Sequence, residues 1–197
     1  MIKNLFKKSY SEKDFWNWFE KNSEDYFQLK ESRYESLFNK LHSQLSKINP
    51  DLVFEFSAEL DSGKREFIIS ADGIVAAFPD VIRLVEAAPE LKNFNIIAFR
   101  QRGNEDEIQF NDIELNIDDM FFTYKNDQQN NLVNVIIYMN GFTEENEEFI
   151  GAAFIMLDNL VGEYDVGVKI GEIEFRSYQG EKDAISIKEL PAVVDAL

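Results

Sequence analysis

Carboxylates are the most abundant groups in this sequence that could do chemistry. The 197 residues include 37 Asp and Glu against 20 Lys and Arg, which gives a formal net charge of −17 at pH 7. Residues 103–168 hold fifteen of these acids and a single base, Lys125, so this third of the chain carries a charge of −14. Clustered negative charge speeds the encounter with a basic partner and selects against acidic ones.

The acids that crowd together in sequence predict a docking surface for a basic protein partner. The candidate partner-binding residues are Glu105, Asp106, Glu107, Glu144, Glu145, Glu147, Glu148, Glu163 and Asp165. The alternative is that these acids lie on several faces and only keep the protein soluble, because closeness in sequence does not imply closeness in space.

Charge and composition also exclude several classes of partner and site. Nucleic acid and anionic lipid both require a basic patch, so neither is expected as a partner. The chain has no Cys, which excludes disulfides, thiolate metal sites and thiol nucleophiles. The remaining ligand types suit only hard cations such as Mg²⁺, and no stretch matches a Ca²⁺-binding loop. We therefore predict no metal and no cofactor.

The sequence contains no catalytic signature. His42 is the only histidine, and no Gly-x-Ser-x-Gly segment is present to supply a nucleophile for it. Phosphate-binding and dinucleotide-binding glycine patterns are absent too. The alternative is a carboxylate-dependent or Mg²⁺-dependent enzyme, in which two acids converge in a pocket that drives their pKa values apart.

The segment Phe15-Trp16-Asn17-Trp18-Phe19 places four large aromatic side chains in five positions. These side chains cover more than one face of a helix, so some of them lie outside an ordinary buried stripe. One hypothesis is that Trp16 and Trp18 line an aromatic groove, which would make the protein a small-molecule binding module. The other is that the segment is a terminal helix lodged deep in the core.

Hydrophobic periodicity predicts the helices that would position these groups. Residues 11–48 form a helical N-terminal region that begins at a Ser11/Asp14 cap and is interrupted at Asn22-Ser23. A short middle helix begins at Pro79, and a long late helix covers 143–161, with Thr143 as its N-cap and Gly162 after its end. The buried stripes are predicted as Phe78, Ile82, Val85 and Ala88 in the middle helix, and Phe149, Ile150, Ala153, Phe154, Leu157 and Val161 in the late one. Leu190 and Pro191 begin a terminal helix that Val193, Val194 and Leu197 anchor.

Alternating patterns predict the strands. Residues 52–71 form a hairpin, and further strands are expected at 94–100, 108–117, 119–125 and 132–140. The strand at 132–140 is apolar on both faces, which is typical of a central strand. In the last strand, Val166, Val168 and Ile170 share one parity whereas Ile173 and Phe175 share the other. One extra residue restores the register, which predicts a β-bulge at Gly171-Glu172.

These elements predict an α+β fold with a largely antiparallel sheet of about six to eight strands. N-terminal helices, one short middle helix and one long late helix would pack on this sheet. Residues 1–197 are expected to form a single domain, with a helical region at 11–48 and the sheet with its helices at 52–197. Residues 1–8 lack the apolar core of a signal peptide, and no apolar run could span a bilayer, so we expect a cytoplasmic protein.

Four segments of the chain, residues 15–22, 69–73, 86–89 and 157–165, resemble an uncharacterised family of bacterial cytoplasmic single-domain proteins, a domain of unknown function. The similarity is spread over most of the chain. It implies a bacterial, cytoplasmic, single-domain protein, and it transfers no catalytic or binding residue. The acidic segment and the absence of a catalytic signature together favour a non-enzymatic interaction domain, such as an inhibitor or immunity-type protein, with an acidic surface for a basic partner.

Overall fold

The computed structural model describes residues 10–143 and 145–197. Two parts of the sequence interpretation, the charged segment 1–8 and the predicted partner-binding residue Glu144, lie outside the described residues. The chain forms two compact units, Met1–Phe99 and Arg100–Leu197.

The first unit begins with two helices, α1 (Glu12–Gln28) and α2 (Tyr34–Leu45), joined through a 3-10 turn. The predicted cap is confirmed, because the Asp14 N–H donates to Ser11 Oγ and the Ser11 N–H donates to the Asp14 carboxylate. The predicted interruption at Asn22-Ser23 is wrong. The Asn22 side chain donates to the Trp18 carbonyl and the Ser23 hydroxyl to the Glu20 carbonyl, both within α1. The helix continues without a break to Gln28, and Leu29, with φ of 41°, is its C-cap.

The sheet of the first unit has three strands in the order β1-β2-β3. The predicted hairpin is confirmed, since β1 (Val53–Phe56) pairs antiparallel with β2 (Arg65–Ser70). Helix α3 (Phe78–Glu86) then crosses over, so β3 (Phe94–Ala98) pairs parallel with β2.

Helix α3 has Pro79 in its first turn, as predicted, but its buried stripe differs from the predicted one. The buried side chains are Phe78, Val81 and Leu84, whereas Ile82 is only half-buried. Ala88 cannot extend the stripe because the helix ends at Glu86. Both stripes fit three-to-four spacing from Phe78, so the spacing alone does not distinguish them.

The second unit contains a hairpin, a four-stranded sheet and three helices. Its sheet has the order β8-β7-β6-β9. The strands are β4 (Glu107–Phe110), β5 (Ile113–Asn116), β6 (Met120–Asp127), β7 (Leu132–Met139), β8 (Ile170–Ser177) and β9 (Ile185–Ser186). The helices are α4 (Glu147–Val161), α5 (Glu163–Lys169) and α6 (Leu190–Asp195). The central position predicted for β7 is confirmed, because β6 pairs with one side of it and β8 with the other.

The α+β class is confirmed, but the prediction of one sheet with six to eight strands is wrong. The described strands form separate sheets of three, two and four strands. The β4–β5 hairpin does not join the larger sheet because its apolar face packs on α4. This contact is close, since a Cβ added to Gly151 of α4 would lie 2.7 Å from the ring of Phe110.

Helix α4 begins later than predicted. Asn146, and not Thr143, is the N-cap, with its side-chain oxygen accepting the Glu148 N–H at 3.0 Å. Ahead of this cap, the Asn146 N–H donates to the Thr143 carbonyl at 3.1 Å. Phe154, predicted to be buried, is 41% exposed. Gly162 follows the helix as predicted, with φ of 88°.

The β-bulge in β8 is confirmed. Val133 pairs with Ile170 and Val135 with Ile173, so β8 holds one residue more than β7 between these pairs. The Asn134 side-chain oxygen fills the bulge by accepting the Glu172 N–H at 2.8 Å. A side chain at Gly171 would overlap this oxygen, which explains the glycine. Val166 and Val168, predicted in the strand, lie in α5 instead.

Buried Arg65 ties α1 to the end of β1 in the first unit. Its Nε and Nη2 donate to the Phe27 carbonyl at 3.1 and 3.0 Å, and its Nη1 donates to the carbonyls of Ser57 and Ala58. Phe27 is in the last turn of α1, whose carbonyls have no partner within the helix. A positive charge there also suits the helix dipole.

We predict that Arg65→Met lowers the free energy of unfolding by about 3 kcal/mol, because it removes a buried guanidinium that donates partly buried hydrogen bonds to three carbonyls. Urea denaturation followed by circular dichroism measures the change. The matched control is Arg83→Met, whose guanidinium is about half exposed and pairs with Asp80 and Glu12. Arg83→Met is expected to lower the free energy of unfolding by less than about 1 kcal/mol. Equal stability of the two variants would contradict the prediction.

Candidate functional site

The most acidic surface of the second unit is residues 105–119, which we call the acidic hairpin. This segment holds seven acids and no Lys, Arg or His, and all seven acids are exposed. They are Glu105, Asp106, Glu107, Asp112, Glu114, Asp118 and Asp119. Asp118 contacts a base from elsewhere in the unit, Lys188, at 2.7 Å.

Strand alternation positions Glu107 and Glu114 on the outer face of the hairpin. Ile108 and Phe110 of β4, with Ile113 and Leu115 of β5, belong to or pack against the core of the second unit. Successive side chains of a strand point to opposite faces, so Glu107 and Glu114 point away from this core. The hairpin therefore has an apolar inner face and an acidic outer face.

Hydrogen bonds at its two ends hold the acidic hairpin along α4. At one end, the Asn159 side chain donates to the Glu105 carbonyl at 2.8 Å. At the other end, the Asn111 side chain donates to the Glu148 carboxylate at 3.2 Å. The fifteen residues of α4 span about 22 Å, which separates the two ends.

The predicted partner-binding acids that the structure describes thus fall into three groups, two at the ends of α4 and a third, Glu163 and Asp165, elsewhere. Glu105, Asp106 and Glu107 lie near the C-terminal end of α4, whereas Glu145, Glu147 and Glu148 lie at its N-terminal end, beside the turn of the hairpin. The structure brings neither Glu163 nor Asp165 into this surface. It adds Asp112, Glu114, Asp118 and Asp119, which were not among the predicted partner-binding residues. The alternation of acids in 112–114 with buried residues was the signal that could have found two of them.

Glu163 is completely buried and is therefore removed from the candidate surface. Its Oε2 accepts the Arg100 N–H at 3.1 Å, and its own N–H donates to the Arg100 carbonyl at 3.0 Å. Asp158, in the last turn of α4, contacts the Arg100 guanidinium at 3.4 Å. These contacts fix the start of α5 against the segment that opens the unit, which is a structural role.

Asp165 is also engaged, through Arg102. The Arg102 guanidinium donates to Asp165 at 3.0 Å, to both oxygens of Asp195 at 2.9 and 2.7 Å, and to the Val161 carbonyl at 2.6 Å. These hydrogen bonds raise the pKa of Arg102 and hold the pKa of Asp195 below its usual range. Lys169 adds a second base beside Asp165 at 3.1 Å. The negative charge of Asp165 is therefore neutralised locally.

A pocket of about 390 Å³ lies beside the Arg102 guanidinium and its partners. It is lined by Arg100, Gln101, Arg102, Val161, Gly162, Tyr164 and Asp165. Arg102 already bonds two carboxylates and a carbonyl, so it acts here as a clamp between α4, α5 and α6 rather than as a binder of anions.

The N-terminal aromatic segment belongs to the core of the first unit. Trp16 is 2% exposed, and its Nε1 donates to the Leu84 carbonyl at 2.7 Å. Its ring packs edge-on against Phe19 and Phe67. Trp18 is half-buried, and the Lys40 ammonium lies 5.6 Å from the centre of its ring. Trp16 is therefore not available to line a groove, and the interpretation as a core helix fits it better.

His42 is exposed, and its Nε2 lies 3.5 Å from Ser46 Oγ. Among residues 10–143 and 145–197, no three Asp, Glu or His side chains converge to hold a metal ion. Within the same residues, no helix is long and apolar enough to cross a bilayer.

Comparison of the chain with protein-family models, with curated proteins and with solved structures finds no match. The fold and the site define an α+β protein with a rigidly held acidic hairpin on its second unit.

Tyr26, in the aromatic core of the first unit, leads to a prediction about stability at alkaline pH. Tyr26 is fully buried and donates its hydroxyl to the Leu37 carbonyl at 3.0 Å, and burial raises its pKa to about 12. An unfolded tyrosine ionises near pH 10, so above about pH 10 the unfolded state loses a proton that the folded state keeps. The contribution of Tyr26 to stability is therefore complete below about pH 10 and is lost as the pH rises towards about 12.

We expect Tyr26→Phe to show a shallower loss of stability between about pH 9 and pH 11.5 than the wild type. Urea unfolding at a series of pH values measures this slope. The control is Tyr124→Phe, because Tyr124 is largely exposed, and its slope should match that of the wild type. If stability fell equally steeply with pH for the wild type and both variants, Tyr26 would not be the source of the loss at alkaline pH.

The Arg102 clamp generates a second prediction. Arg102→Met removes hydrogen bonds to Asp165, Asp195 and Val161 at once and is expected to lower the free energy of unfolding by about 2 kcal/mol. Arg176→Met is the control, since this exposed arginine pairs with one neighbouring carboxylate, Glu174. Thermal or urea unfolding measures both. A loss for Arg102→Met no larger than that for the control would contradict the role of Arg102 as a clamp.

Proposed function

We propose that this protein is a non-enzymatic interaction domain that binds a basic partner protein through its acidic hairpin, in the manner of an inhibitor or immunity-type protein. The observation that carries the proposal is the concentration of seven exposed acids, without a base, on one fifteen-residue hairpin.

The distribution of charge between the two units supports this proposal. Residues 1–99 contain 13 Lys and Arg and 16 Asp and Glu, a balance of −3, whereas residues 100–197 contain 7 and 21, a balance of −14. Charge that served only solubility would not need to be concentrated in one unit. A concentrated field instead steers a basic partner towards one face.

The attachment of the acidic hairpin to its unit also supports the proposed binding of a basic partner. The inner side chains of the hairpin pack into the core of its unit, and hydrogen bonds at both of its ends fix it to α4. The acids thus sit on a preorganised element, so little conformational entropy is lost on binding. Glu145 and Glu148 extend the surface past the turn of the hairpin.

The test compares two double variants with the same change of charge. Glu107→Gln/Glu114→Gln removes two negative charges from the outer face of the hairpin. Glu86→Gln/Glu90→Gln is the matched control, since both residues are exposed and lie in the first unit. Each protein is immobilised and used to capture proteins from a lysate of its own organism at low salt. Captured proteins are identified by mass spectrometry.

We expect a basic protein that is retained by the wild type and the control but lost from the hairpin variant. With this protein purified, association with the hairpin variant should be slower by about tenfold, because exposed interface charges act mainly on the association rate. Raising the salt from about 50 to about 300 mM should slow association for the wild type. Capture that survives in the hairpin variant, or that is insensitive to salt, would contradict the proposal.

A further inference from the structure

Strand β8 is the edge of the four-stranded sheet, and no described segment pairs with its outer side. An unpaired edge presents a row of backbone N–H and C=O groups that can pair with another strand. The last five residues of β8, 173–177, are regular, because the bulge lies before Ile173. We call these residues the open edge.

Two hydrogen bonds fix which backbone groups of the open edge face outward. The Tyr178 N–H donates to the Met139 carbonyl, and the Glu172 N–H donates to the Asn134 side chain, so both point towards β7. Backbone groups alternate in direction along a strand, so those of Glu174 and Arg176 also point towards β7. The N–H and C=O groups of Ile173, Phe175 and Ser177 therefore point away from the sheet.

The two faces of the open edge differ in chemistry. On the face towards α4, Phe175 contacts Phe154, with 5.4 Å between the ring centroids, and Phe154 is 41% exposed. On the opposite face, Glu174 and Arg176 form an ion pair, with Arg176 Nε 2.7 Å from Glu174 Oε1 and both side chains about half exposed. An added strand would therefore meet aromatic rings on one side and one charge of each sign on the other.

This pattern is self-complementary for antiparallel pairing. If two copies meet about a twofold axis at Phe175, Ile173 lies opposite the second copy's Ser177, and Phe175 lies opposite its equivalent. These are the residues with outward-facing backbone groups, so each opposed pair can exchange two hydrogen bonds. In the same register Glu174 lies opposite the second copy's Arg176, in the closely spaced type of pair where opposite charges stabilise.

Neighbouring registers do not share this property. An axis at Glu174 places two glutamates opposite each other, and an axis at Arg176 places two arginines opposite each other. An axis at Ile173 sets Glu172 against Glu174. Like charges directly opposite are destabilising, so the charges select the register centred on Phe175.

We propose that the occupant of the open edge is a second copy of this chain, which pairs antiparallel about Phe175 and joins two four-stranded sheets into one. The interface is isologous, so Phe154 and Phe175 of both copies lie around the axis. The net charge of −17 opposes this association at long range. Salt near physiological strength screens that repulsion over about 8 Å, whereas the opposed charges at the interface are in direct contact.

The test exchanges the charges of the open edge. Glu174→Arg sets arginine against arginine across the axis, and Arg176→Glu sets glutamate against glutamate. The double variant Glu174→Arg/Arg176→Glu restores opposite pairs with their signs exchanged. Sedimentation equilibrium in about 150 mM salt, at protein concentrations up to about 500 µM, measures the mass, since edge pairing gives an interface of the small, weak class.

We expect the wild type to approach twice its 22.9 kDa mass at high concentration. Each single variant should weaken the dimer by at least tenfold, and the double variant should recover it. The matched control, Glu107→Arg on the acidic hairpin, should dimerise like the wild type, which also separates this inference from the proposed function. A wild type that stays monomeric, or single variants that dimerise as well as the wild type, would overturn the proposal.

A second measurement tests the register directly. The chain has no Cys, so Phe175→Cys introduces a single thiol per copy. Directly opposed residues of a hydrogen-bonded antiparallel pair have Cα atoms about 5.5 Å apart, which suits a disulfide. Mild oxidation should give a covalent dimer for Phe175→Cys and little for Gln109→Cys on the exposed face of the hairpin. Equal cross-linking of the two variants would contradict the register.

Discussion

The second unit depends on one constraint: α4 is apolar around most of its circumference, and each apolar side has to be covered. The sheet and α6 cover the side with Met156, Leu157 and Val161. The hairpin covers the side with Gly151, where the ring of Phe110 comes so close that no side chain would fit. Phe154 points to a third side, which Phe175 covers only in part. A helix of this kind is stable only when it is enclosed by other elements.

The packing of the hairpin on α4 also determines which acids of the second unit are exposed to solvent. Because the hairpin buries its inner face on α4, its polar residues are forced outward, and they are mostly acids. One acid of α4, Asp158, and two acids of α5, Glu163 and Asp165, have a different role, since they contact Arg100 or Arg102. The unit therefore separates acids that hold the fold together from acids that face the solvent.

Features that depend on neighbouring residues could be predicted from the sequence. These include the Ser11 cap, the first hairpin, the central place of β7 and the bulge in β8, each of which follows from capping chemistry or strand parity. The number of strands in each sheet could not be predicted, because it depends on whether 107–116 packs on α4 or extends the sheet. Both arrangements satisfy the same alternating pattern.

The candidate site was predictable to a similar extent. The acidic third of the chain was visible in the composition, and the exposure of Glu105, Asp106 and Glu107 agrees with it. The burial of Glu163 was not visible, because its partner is a backbone N–H at Arg100, sixty-three residues away. Trp16 was open to two interpretations and Phe154 was wrongly predicted as buried for the same reason: an apolar side chain on a helix indicates burial, but only the tertiary packing decides which side is covered.

Net charge and local charge pattern act on different properties of this molecule. The overall excess of acids makes random contacts between copies unfavourable, because every approach meets repulsion at long range. Only a surface that carries both signs in a self-complementary order can overcome this repulsion at short range. Glu174 and Arg176 form such an order on β8, an edge of the larger sheet with which no described segment pairs, whereas the acidic hairpin has no base of its own. This difference is the basis for proposing another copy of the chain at the edge and a basic partner at the hairpin.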